Sequence, residues 1–147
     1  MAAWCPTATW AAPAPMQAAA SAFGDYKDQG EVDIAAAAGK EANPQKKLDD
    51  LKEWEQKYPD SKLKNTRQFM TAQALLPIAL AAYGKPGPAD VLDAGQKAAQ
   101  QLVDNLDTYL SPEVQASVKA TDAQWKQARQ TIELQAHSVL GWVAMTK

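Results

Sequence analysis

Few residues in this chain have side chains able to react or to ligate, and their spacing gives each of them a structural or solvated reading. The sole histidine, His137, follows Glu133 by four residues, so a helix would set both on one face as half of a metal site. A tight site needs further ligands, and no second histidine exists to supply one. Carboxylates pair at Asp49-Asp50, Glu53-Glu55 and Asp104-Asp107, all within Lys-bearing helical segments, where solvated charge on an outer face accounts for them better than a general acid-base dyad. The single cysteine, Cys5, rules out an internal disulfide and a cysteine-based zinc cluster. No base accompanies Cys5 in AAWCP, and the bulky Trp4 before it fits poorly with a lipoprotein attachment site. Gly-rich phosphate loops, haem-attachment motifs and nucleophile elbows are absent. The residues therefore predict no catalytic, cofactor-binding or metal site, no small-molecule substrate, and a protein that is not an enzyme.

Composition narrows the partners. Fifteen basic against 17 acidic residues leave a net charge of -2, which supplies no positive field for nucleic acid or an anionic membrane surface. At 147 residues the chain fits one domain with a core of ordinary size. Five of its aromatic residues are Trp, a share that favours helix-anchoring or interface positions.

The elements that must position any site are helical almost throughout. Residues 1–23 carry no charge and resemble the end of a secretory signal, an apolar stretch followed by small residues and Pro, without the basic start that a complete signal has. A disordered Ala/Pro-rich leader is the alternative. After it no stretch approaches the roughly 18 apolar residues of a membrane-spanning helix. A short Ala-rich helix is expected over 30–41, ending near Gly39. Asn43 then caps a second helix with Pro44 at its first position and Leu48, Leu51, Trp54 and Tyr58 on one face, stopped by Pro59. A third helix is expected over 63–83, kinked at Pro77. The fourth, over 88–110, carries the stripe Val91, Gly95, Ala98, Leu102, Leu106 and Tyr109, with Gly95 permitting close helix approach. Ser111-Pro112 caps a short segment. Thr121 and Gln124 form a capping box for a last helix whose stripe is Trp125, Ala128, Ile132, Ala136, Val139 and Val143.

Two internal offsets appear. A shift of 51 residues superimposes Gln45-Lys46, Leu51 and Tyr58 on Gln96-Lys97, Leu102 and Tyr109. A shift of 62 superimposes Lys64, Arg67, Gln68, Gln73, Ala74 and Ala82 on Lys126, Arg129, Gln130, Gln135, Ala136 and Ala144. The offsets differ by 11 residues, which fall in the linker between Tyr109 and Trp125; chance similarity in an Ala/Gln-rich chain is the competing explanation. A tandem helical hairpin buries its apolar faces by stacking on its neighbours. On this reading 134–147 is the first helix of a unit whose second helix lies beyond Lys147, and the chain is a fragment of a longer array.

The segment AHSVLGWVA, 136–144, resembles the first helix of a tetratricopeptide repeat: Leu140-Gly141 match its Leu-Gly pair, while His137 and Ala144 stand where Trp and Tyr are usual. KKLDDLKEWEQKYPDS resembles a second helix closing in Tyr-Pro. Over about 27–147 the chain looks like the N-terminal portion of exported bacterial tetratricopeptide-repeat proteins of undefined function. The resemblance implies an all-α fold of antiparallel hairpins stacked as a short solenoid over 24–147, exported to the periplasm or envelope, with a concave groove that takes a protein or peptide partner. Its groove-facing positions fall on Gln135, Ser138 and Trp142, matched at the 62-residue offset by Gln73, Leu76 and Leu80. Core packing is the competing role for Trp142, Leu76 and Leu80. The alternative function is a purely structural N-terminal cap of a repeat array, and a cytoplasmic location is the alternative to export. Self-association through an open C-terminal face is a further expectation.

Overall fold

The computed structural model describes residues 25–84 and 87–147. The leader at 1–23, with Cys5, lies outside them. Every element among the described residues is an α-helix.

Local signals start and stop these helices. Helix α1 (Gln29–Lys40) begins where the Asp28 carboxylate accepts from the Glu31 amide, and it runs through Gly39. The Asn43 side chain accepts from the amides of Gln45 and Lys46 to open α2 (Pro44–Lys57), whose inner face is Leu48, Leu51 and Trp54. Helix α3 (Lys64–Ala81) passes through Pro77, whose side is exposed. Its buried residues include Phe69, Met70, Leu75 and Ala79.

The predicted fourth helix is interrupted. Helix α4 (Ala89–Asp104) ends at Asn105, with φ -115° and ψ 15°, and the chain resumes as the single turn α5 (Leu106–Tyr109). The stripe carries across the break, since Leu102, Leu106 and Tyr109 are all buried, but Leu92 takes the inner position expected of Val91. Ser111 opens α6 (Pro112–Val118) by accepting from the Val114 amide, and Lys119 closes it in the left-handed region at φ 54°. Helix α7 (Asp122–Thr146) begins in the predicted Thr121/Gln124 capping box, and the six residues of the predicted stripe are its buried residues.

Contacts near the helix ends fix the directions. Glu31 at the start of α1 meets Trp54 near the end of α2, so this pair is antiparallel. Arg67 near the start of α3 reaches Tyr58 and Glu55 at the end of α2, so α2 and α3 are antiparallel as well. Helices α3 and α4 approach closely at Gly95, where a Cβ would stand 2.2 Å from Ala82 Cβ and 3.3 Å from the Ala79 carbonyl oxygen. Lys147 bonds Asp93 and Gln96 of α4, while Arg129 pairs with Asp107 just past its other end, so α4 and α7 are antiparallel. Helices α3 and α7 then run side by side in the same direction. Phe69 packs on Trp125 near their starts, with ring centroids 5.6 Å apart, and Tyr83 packs edge-on against Trp142 near their ends, at 6.0 Å. The linker helices α5 and α6 lie against α3.

Candidate functional site

A buried polar cluster joins α1, α2 and the start of α3. Glu31 has no solvent-accessible area. Its Oε1 accepts from the Trp54 indole N–H at 2.9 Å and its Oε2 from the Lys27 amide at 2.6 Å. Burial raises the Glu31 pKa, but the hydrogen bonds from Ser61, the Lys27 amide and Trp54 outweigh it, and the net shift is downward. Beside it the Tyr58 hydroxyl donates to Asp28 at 2.7 Å, which lowers the Asp28 pKa together with the Glu31 amide and raises that of Tyr58. Arg67 closes the cluster. It is 4% exposed, its guanidinium lies 5.7 Å from the Trp54 ring centroid, and Nη1 donates to the Tyr58 carbonyl at 3.1 Å. Burial lowers the Arg67 pKa, opposed by Glu55 and Glu31.

Arg67 also borders a cleft of about 300 Å³ between α2, α3 and the corner where α4 meets α5. Lys52, Glu55, Gln68, Gln101 and Tyr109 face the same space. Arg67 Nη2 stands 3.8 Å from Glu55 Oε1, outside hydrogen-bond range, and Gln101 Nε2 donates to the Tyr109 hydroxyl at 2.9 Å. Burial and Glu55 raise the Tyr109 pKa, against the Gln101 bond.

The sequence-predicted groove residues lie elsewhere. Gln73, Leu76 and Leu80 sit on α3 and Gln135, Ser138 and Trp142 on α7, each triplet flanking the buried stripe of its helix and each residue half-buried. These two helices are parallel neighbours, so both triplets belong to one pair of elements. Leu76, Leu80 and Trp142 pack against the main core. Ser138 Oγ donates to the Leu134 carbonyl at 2.8 Å. The Trp142 ring rests on Tyr83, and its indole N–H is shielded from solvent without an acceptor.

The residues weighed for chemistry are dispersed. Glu133 and His137 are both exposed on α7. Glu53 pairs with Lys57 at 2.5 Å, Asp107 with Arg129, and Asp104 accepts from Gln100 at 2.8 Å. Among the described residues no group of three or more His, Cys, Asp or Glu side chains is arranged to hold a metal ion, and no helix is long and apolar enough to cross a membrane.

Sequence reasoning passed over Glu31 and Arg67. Arg67 carried a signal: it precedes Met70 and Ala74 at helical spacing, so a charged residue stands on an apolar stripe. Glu31 carried only a local one, an acidic residue three positions after the Asp28 cap, and its burial was not legible because Trp54 and Ser61 donate to it from other elements. No protein-family model, curated protein or solved structure matches the chain.

Proposed function

We propose that this chain is a non-enzymatic helical-repeat scaffold of tetratricopeptide-like hairpins, and that it binds a protein partner along the paired helices α3 and α7. The observation that carries this reading is the parallel, side-by-side course of α3 and α7 with α4 antiparallel against both. Tandem hairpins place successive first helices in that way and leave their flanks free to form a binding surface. The aromatic contacts pair residues 56 and 59 positions apart, close to the repeat offset of 62. The half-buried triplets Gln73, Leu76, Leu80 and Gln135, Ser138, Trp142 would then supply apolar anchors and side-chain hydrogen bonds to an extended or helical peptide. The signal-like leader supports an envelope location, to be checked by terminal sequencing of the native protein from separated cell fractions.

A photo-crosslinking amino acid placed at Gln135, and separately at the exposed Glu53 on α2, tests the surface in the source cells. Partners captured from Gln135 and not from Glu53 are the expected outcome. Identical captures from both positions would sink the proposal.

A further inference from the structure

The cleft between α2, α3 and the α4–α5 corner lies apart from the α3/α7 surface, and its lining carries two cations, Arg67 and Lys52, against one carboxylate, Glu55. Arg67 is nearly inaccessible, yet its guanidinium is only half committed. Nη1 is fixed by the Tyr58 carbonyl and one face by the Trp54 ring, whereas Nη2 has its nearest carboxylate, Glu55, at 3.8 Å. The other carboxylate near it, Glu31, is engaged by Trp54 and the Lys27 amide. A largely buried guanidinium whose one ion pair is long, at 3.8 Å, and made to an exposed carboxylate is weakly compensated, and a bidentate carboxylate relieves that cost better than any neutral group. Glu55 does not fill this role, because its side chain is 67% exposed and stands outside hydrogen-bond range.

We propose that this cleft binds a small free carboxylate of about amino-acid size, its carboxyl group held by Arg67 with Lys52 and Gln68 at the rim. The volume of about 300 Å³ lies at the lower end of small-ligand pockets. Lys52 and Gln68 also line the cleft, the first adding a second positive charge and the second an amide donor. Glu55 is the competing group, so the ligand binds against its charge. The inference rests on the cleft alone and stands whether or not α3 and α7 bind a protein.

The test is an NMR titration of the whole chain with N-acetylglycine, with its uncharged amide, N-acetylglycinamide, and with pentaalanine bearing a free C-terminus. Saturable shifts of the Arg67 side-chain Nε–H and the Gln68 and Gln101 amides with N-acetylglycine, and none with the amide, are expected. Removing the competing charge in Glu55→Gln should tighten binding by about three-fold, and this exposed change leaves the fold intact. Arg67→Lys should weaken binding by about ten-fold or more, measured on a chain whose circular dichroism is unchanged. The proposal is overturned by equal binding of acid and amide, by no saturable shift, by binding of the peptide acid alone, or by a Glu55→Gln chain that binds no more tightly.

Discussion

Replacing Gly95 with Ala should destabilise the fold, although Ala is the better helix former. In a helix interior that exchange favours folding by about 1 kcal/mol where nothing else changes. At Gly95 the added Cβ would stand 2.2 Å from Ala82 Cβ, an atom held directly by the backbone at the C-cap of α3, and 3.3 Å from the Ala79 carbonyl oxygen. Neither neighbour is the tip of a flexible side chain. Restoring van der Waals contact requires α3 and α4 to separate by about 1.5 Å, since non-bonded carbons rest at about 3.5–4.0 Å. That separation loosens the contacts around Leu75, Ala79, Ala99 and Leu102, all nearly inaccessible. Overpacking of this kind costs about 1–3 kcal/mol, and the cavities opened beside it add to the cost. A net loss of about 2 kcal/mol is expected after the propensity gain. Urea unfolding followed by circular dichroism measures it, with Gly141→Ala as the control. Gly141 also lies inside a helix, but nothing stands within 4 Å of its Cβ position, so that variant should gain up to about 1 kcal/mol. Adding Ala82→Gly to Gly95→Ala should recover part of the loss, because it removes the atom that is struck. If Gly95→Ala and Gly141→Ala stabilise alike, the close approach of α3 and α4 is wrong.

Three further outcomes follow from the helix ends and the buried cluster. The folded-state pKa of Glu31 is depressed, so its contribution is present above the unfolded carboxylate pKa of about 4.3 and is lost as pH falls through the folded value; the urea midpoint should drop more steeply below about pH 4.3 in the wild-type chain than in Glu31→Gln, and equal slopes would remove Glu31 from the acid response. Thr121→Ala breaks the capping box of α7 and should cost about 1 kcal/mol, read from the same unfolding curves. Pro77 lies exposed inside α3 and lacks the N–H that would bond the Gln73 carbonyl, so Pro77→Ala should raise stability by about 1–3 kcal/mol; a loss would mean that the Pro shape is used in packing.

The sequence alone determined where most helices begin and which face of α7 is buried. Asn43 with Pro44, Ser111, and Thr121 with Gln124 bond amides two or three residues away, so their geometry is written within one turn. The α7 stripe needs only the 3.6-residue period and a run of apolar side chains. Tertiary structure decided the rest. The break at Asn105 is invisible to periodicity, because the stripe continues from Leu102 to Leu106 on either side of it. Glu31 is buried because Trp54, 23 residues away, and Ser61 donate to it, and Arg67 because the Tyr58 carbonyl and the Trp54 ring receive it. A charged side chain enters a core only when groups from several elements converge on it, and that convergence exists once the helices have packed.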